Sequence, residues 1–195
     1  MLSYKESLEI LKKTKALLQG HFILSSGLHS DEYVQCAKLL SYPKYASQIC
    51  SSLCEKIKEN FGRIDIILSP AIGGIVVGYE LARQLGVQSI FSEREKGVSI
   101  LRRGFILPKN SNIIIVEDVI TTGKSALECS KIIHENQSNL LGYACIIDRS
   151  DNNVLIKDKI VSQVKLKFKT FTNANIPDEI KKIVPIKPGS RNPAI

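Results

Sequence analysis

Residues 113–126 read IIIVEDVITTGKSA: four apolar β-branched residues run straight into two adjacent carboxylates and a Thr-Thr-Gly-Lys-Ser turn. An unbroken run of Ile113, Ile114, Ile115 and Val116 has no polar face. It predicts a strand buried on both sides, the kind found in parallel sheets covered by helices. Such sheets keep their ligands beyond the carboxyl ends of their strands, and here that end carries Glu117 and Asp118.

The pattern repeats on either side. Upstream, IDIIL (64–68) predicts a strand, SPAIGG (69–74) a loop, IVVGYELARQL (75–85) a helix ended by Gly86, and VQSIF (87–91) another strand. Downstream, a helix from about Lys124 to His134 leads to the strand LGYACIID (141–148). Strands alternating with helices at this spacing indicate βαβ units and a parallel sheet. The charged stretch SEREKGVSILRRGF (92–105) interrupts them as a loop, with Arg102 and Arg103 expected to begin the returning strand. VSQVKLKFKTF (161–171) alternates and predicts one more strand, at an edge.

Nearer the amino terminus, Ser3 and Glu6 form a capping box for a helix carrying Leu8, Leu11 and Leu18, expected to end near Gly20. Residues 22–35 read as extended chain with a glycine turn. Pro43 opens a second helix with Ala46, Ile49, Cys50, Leu53 and Ile57 on one face and Gly62 beyond its end. The tail VPIKPGSRNPAI is expected to be irregular.

At 195 residues and 44% hydrophobic composition, with no low-complexity linker, the chain is long enough for one α/β domain. Its five cysteines form no CxxC pair, so they are expected to be reduced core residues. The start MLSYKESLEILKK lacks the apolar core of a signal peptide, and no apolar run is long enough to span a bilayer. A cytoplasmic protein with no membrane partner is expected. The net charge of +8 permits a nucleic acid or a small polyanion. The lysines are scattered, however, and neither an RNA-binding aromatic signature nor a helix-turn-helix pattern occurs, so no nucleic acid is expected.

The opening stretch has a chemical reading of its own. Carboxylates accept hydrogen bonds only, which suits a vicinal diol. The hydroxyls and backbone N–H groups of Thr121, Thr122, Gly123, Lys124 and Ser125 open a helix, a natural phosphate site. A diol beside a phosphate describes a ribose 5-phosphate. A nucleotide-binding P-loop would need glycine where this chain has Asp118. The plainer alternative makes Glu117 and Asp118 solvated charges and the turn a simple helix cap; the apolar strand before them and the hydroxyl-glycine turn after them favour the sugar phosphate.

VEDVITTGKS (116–125) resembles the phosphoribosyl diphosphate (PRPP) motif of the type I phosphoribosyltransferases. GHFILSSGLHSDEYVQ (20–35) is similar to the hood segment of that family's orotate-using branch, SPAIGGIVVG (69–78) to its diphosphate-side loop, IIDRS (146–150) to its base-binding strand end, and VPIKPGS (184–190) to its closing tail. The resemblance implies an α/β fold with a central parallel sheet flanked by helices. A small hood would come mainly from residues 1–40, over a core of about 43–172 with a tail at 184–195. It further implies that PRPP, carried with Mg²⁺, loses diphosphate from C1 of its ribose while a ring nitrogen of orotate attacks the opposite face, yielding orotidine 5′-monophosphate in pyrimidine biosynthesis.

The same resemblance assigns the residues. Glu117 and Asp118 hold the ribose hydroxyls and favour the cationic transition state. Val119 and Ile120 continue the PRPP motif, Thr121 to Ser125 take the 5-phosphate, and Ile72 and Gly73 face the diphosphate. Thr121 and Arg149 bind orotate, Arg149 pairing bidentately with its carboxylate; the plainer alternative is a surface arginine paired with Asp148 or Asp151. Arg94 and Lys96 are the catalytic cations of a mobile loop shared between the subunits of a homodimer. No direct protein ligand to the metal is implied. The chain departs from the enterobacterial pattern in two places: Ser25 replaces a hood lysine, and no histidine occurs between His29 and His134. Two alternatives stay open, a purine or uracil phosphoribosyltransferase and a regulator that senses PRPP and binds nucleic acid.

Overall fold

The computed structural model describes residues 1–24, 26–151 and 154–188. Ser25 and the end of the tail, 189–195, lie outside the described residues. Among the described residues the chain forms helix α1 (Tyr4–Lys13), strands β1 (Leu17–Ile23) and β2 (His29–Val34), and helices α2 (Cys36–Leu40) and α3 (Pro43–Asn60). Then come β3 (Ile66–Pro70), α4 (Gly73–Leu85), β4 (Gln88–Glu95), β5 (Val98–Leu101), β6 (Asn112–Ile120), α5 (Lys124–Glu135), β7 (Asn139–Asp148), β8 (Ile160–Lys165), β9 (Thr170–Phe171) and α6 (Asp178–Lys181).

Six strands build the main sheet in the order β5-β4-β3-β6-β7-β8. Every neighbouring pair is parallel except β4 with β5, an antiparallel edge that makes the sheet mixed. The quoted strand β6 lies inside it, and Ile113 to Val116 have no exposure at all. Its side chains divide by alternation. Ile113 and Ile115 join the apolar cluster containing Cys129, Ile132 and Ile133 of α5. Ile114 and Val116 join the opposite cluster with Leu53 and Ile57 of α3 and Val77 and Leu81 of α4. Burying such a side chain contributes about 1.5–3 kcal/mol, so β6 is held from both sides. All five cysteines are free and buried, and burial holds Cys129 up at about 11, far from a reactive thiolate.

Several boundaries differ from expectation. The capping box of α1 forms, but the helix ends at Lys13. There the Thr14 hydroxyl donates back to the Ile10 carbonyl, and Lys15 takes a left-handed φ of 54°. Leu17 and Leu18 therefore enter β1, paired with Val34 and Tyr33 of β2. β4 continues past Phe91 to Glu95, and residues expected as loop form the hairpin β4–β5 with Ser92 opposite Leu101 and Glu95 opposite Val98. The returning strand ends at Leu101, so Arg102 and Arg103 lie beyond it; Arg103 grips Glu93 through two hydrogen bonds and lies over the Phe91 ring. The single strand expected over 161–171 splits, because Lys165 pairs with Asp148 and Leu166 N–H donates to the Asp148 carbonyl as the chain leaves the sheet.

Beyond this split the chain completes the hood. β9 pairs with β2, giving a separate antiparallel sheet in the order β1-β2-β9. The tail reaches the same sheet, since Ile23 N–H donates to Ile186 O and Ile186 N–H to His21 O, each at 2.8 Å.

Candidate active site

β6 carries the two carboxylates further inside the sheet than its sequence suggests. The strand does not end at Glu117 and Asp118 but runs on to Ile120, with Glu117 opposite Cys145 and Ile120 opposite Asp148 of β7. Neighbouring strand residues point to opposite faces, and the surroundings agree. Glu117 faces α5: burial first and the Asp118 charge second push its carboxyl up to about 7, while the Ala126 N–H in the first turn of α5 pulls it down. Asp118 faces the start of α4, where a Cβ on Gly73 would meet its carboxylate at 2.7 Å. Burial raises Asp118 as well, opposed by the Val119 N–H, which donates to Oδ1 at 2.9 Å. Two carboxylates raised by burial are strong acceptors waiting for donors or a cation.

Beyond β6 comes the turn into α5. Thr121 and Thr122 are exposed, Gly123 is buried with a φ of 75°, and no side chain caps the helix. Of the first-turn N–H groups, that of Ala126 goes to Glu117 and that of Lys124 lies 3.5 Å from Thr122 Oγ1, so an anion here would be met by the Ser125 N–H and the hydroxyls of the turn. A Cβ on Gly123 would meet Ile156 at 2.7 Å, so the turn tolerates only glycine. Lys124 is exposed and Ser125 half-buried in the first turn. Val119 gives its N–H to Asp118, and the side chain of Ile120 is buried in the core, so neither offers a side-chain donor.

The loop between β3 and α4 contains a cis peptide at Ala71–Ile72, and Ile72 is 85% exposed. The glycines after it serve packing as well as ligand approach: Gly73 clears Asp118, and a Cβ on Gly74 would lie 2.9 Å from the Val116 carbonyl. The helix start is thereby brought against β6.

Arg149 comes directly after β7, its N–H donating to the Ile120 carbonyl at 2.8 Å. The surface-arginine alternative does not hold for Asp148, which binds Lys165 and the Ser150 N–H instead. The guanidinium carbon stands 4.2 Å from the centroid of the Phe168 ring, and Nε is buried with no hydrogen-bond partner among the described residues. Burial lowers the pKa of Arg149, opposed by Tyr33 and Glu32 from the hood. Tyr33 in turn is raised by burial, pulled down by Arg149 and pushed up by Asp118. The hood thus stands over the crevice between the carboxylate and the arginine. Cys36 adds a contact there, its thiol donating to the Asp118 carbonyl at 3.8 Å.

Arg94 and Lys96 are not brought to this crevice. Arg94 pairs with Glu128 of α5 and donates to Gly97 O, while Lys96 stands exposed at the hairpin turn. His21 and His29 are buried against each other, Nε2 to Nδ1 at 2.7 Å, with His21 Nδ1 at 3.0 Å from Ile183 O; they join hood to tail. Sequence reading missed Tyr33 and Phe168. The signal for each is an aromatic in a polar setting, Tyr33 after Asp31-Glu32 and Phe168 between two lysines.

Comparison with known proteins gives three findings. Residues 41–179 match the family model described as phosphoribosyl transferase domain. The chain is 47% identical over 188 residues to an orotate phosphoribosyltransferase of Methylorubrum populi, covering 96% of each chain. It superposes with a TM-score of 0.72 on the crystal structure of orotate phosphoribosyltransferase from Aeropyrum pernix, at 25% identity, covering 81% of this chain and 92% of that one.

Proposed function

The chain belongs to the phosphoribosyl transferase family, and on that premise we propose that it acts on orotate, transferring the 5-phosphoribosyl group of PRPP to give orotidine 5′-monophosphate and diphosphate in pyrimidine biosynthesis. The observation that carries the choice of base is Arg149, a half-buried cation with an unpartnered Nε–H at the rim of the crevice. Orotate differs from uracil by a carboxylate, and a buried guanidinium edge is the group that distinguishes them. Relatives of this size and identity carry the same activity in their names.

Each part of the site has a task under this reading. The α5 turn takes the 5-phosphate, and the Ile72–Gly73 loop lies beside the diphosphate. Glu117 and Asp118 accept from the ribose hydroxyls on two faces of one strand and, being negative, favour positive charge developing at C1. Thr121 and Arg149 orient the base, so catalysis is mainly positioning and electrostatics. Among the described residues no three His, Cys, Asp or Glu side chains gather to hold a metal. Glu117 and Asp118 would stand beside Mg²⁺ carried in by PRPP, and the ion would supply neutralisation of the diphosphate charge.

The active form under this reading is a homodimer. α4 leaves Val76 and Tyr79 exposed beyond Ile72, apolar surface that a second copy would cover. Because Arg94 is tied to its own α5, its use requires the hairpin to leave Glu128, toward its own crevice or the partner's. No helix among the described residues is long and apolar enough to cross a membrane, which suits work in the cytoplasm. Diphosphate release from PRPP, offered orotate, uracil, hypoxanthine or adenine with Mg²⁺, tests the function: release with orotate is expected, and release only with another base would overturn it.

A further inference from the structure

We propose that Phe168 is a positioning residue for base recognition, its ring holding the plane of the Arg149 guanidinium so that one edge is presented to the carboxylate of orotate. The inference rests on Arg149 being the group that binds the base. A guanidinium carbon 4.2 Å from the ring centroid is within reach of a cation stacked on an aromatic face. Stacking engages the face of the group and leaves its in-plane N–H donors for a ligand. One of these, Nε–H, is buried and unpartnered, although buried N–H groups are nearly always paired. A carboxylate taken side-on by Nε and one Nη would satisfy it.

Both residues are held where they stand. The Arg149 backbone is pinned to Ile120 by a hydrogen bond. Phe168 packs against the apolar cluster that includes Val164 and Leu166, just after the strand break at Lys165. With Ser150, Lys165 and Lys167 the two residues line a cavity of about 490 Å³, on the scale of small-molecule sites. Without the ring the arginine keeps its charge and loses the surface that sets its plane.

Phe168→Leu removes the ring and keeps an apolar side chain. Its KM for orotate is expected to rise about 2- to 30-fold, the span of cation–π contacts, with kcat and KM for PRPP unchanged. Phe168→Tyr, which keeps the ring, should restore the wild-type value. In an Arg149→Ala background Phe168→Leu should add nothing, since the ring acts only through the arginine. An unchanged orotate KM in Phe168→Leu, an equal loss in both backgrounds, or a loss that falls on PRPP would overturn the positioning role. A wild-type orotate KM in Arg149→Ala alone would instead overturn the base assignment, so the two failures are distinct. Should Phe168→Leu not fold, Phe168→Met makes the same comparison.

Discussion

A Cβ on Gly73 would lie 2.7 Å from Oδ1 of Asp118 and 2.9 Å from Oδ2, so the start of α4 and the carboxylate of β6 adjoin with no room for a methyl group. Gly73→Ala is expected to displace that carboxylate. Misplacement by about 1 Å costs roughly 10²-fold in rate, and kcat/KM for PRPP should fall by that order. Thermal unfolding should stay near wild type, because Gly73 is otherwise exposed. Activity within twofold of wild type would show that this contact does not set the position of Asp118.

Asp118→Asn keeps the shape and removes the charge. A folded protein with kcat lowered by about 10² to 10³ is expected, the usual loss for one electrostatic group at a reacting centre. Near-normal turnover would take the carboxylate out of the mechanism.

Glu117 brings a pH dependence with opposite signs for stability and activity. Its carboxyl stands at about 7, against an ordinary value of 4.5. The folded state therefore holds the proton more tightly, and the stability this confers is complete below the unfolded value and lost as pH rises through about 7. Accepting a ribose hydroxyl needs the ionised form, so kcat/KM for PRPP should rise to a plateau with an apparent pKa near 7. Rate profiles of wild type and Glu117→Gln check this. The acid limb should vanish in the variant, and its survival there would assign it to another group.

Arg149→Ala should raise KM for orotate and narrow the preference for orotate over uracil by a factor worth roughly 2–5 kcal/mol, as for a buried charge pair. Steady-state kinetics with both bases measures it. An unchanged ratio would leave Arg149 without a role in the choice of base.

If the hairpin serves the neighbouring subunit, Arg94→Ala and Arg149→Ala are each impaired alone at limiting orotate, yet a mixed dimer puts both lesions in one site and leaves the other whole. Random exchange of equal amounts should restore about a quarter of all sites. Activity after exchange, with native mass spectrometry to confirm mixed dimers, decides it. Mixed dimers without recovery would mean that the hairpin acts on its own subunit or that Arg94 is not its working residue.

The core of this fold is legible in the sequence because Ile113 to Val116 carry a signal that short-range rules read well, a run with no polar face. Glu117 and Asp118 are legible as a pair, but not their opposite orientation inside the sheet, since the sequence reading ends the strand at them and the fold carries it on through Val119 and Ile120. Leu18 falls at helical spacing from Leu11 by coincidence; its strand is decided by pairing with Tyr33 across a turn. The hairpin 92–101 hides behind its charges, because Arg94 and Glu93 find ionic partners on α5 and at Arg103 that sequence alone does not announce. Phe168 could not be placed from the alternation around it, since a contact between Lys165 and Asp148 ends the strand just before it.

Ser30 of β2 binds the carbonyl of Lys169, 139 residues further along the chain, and its sheet is closed by residues near the end, Ile183 and Ile186. On a translating ribosome the β1–β2 hairpin emerges before the core and waits for its third strand until β8 has been made. The parallel core between them can assemble during synthesis, but the small sheet over it is completed only after that core. A product that stalled after β8 would hold the turn into α5 beneath a two-stranded hood without β9.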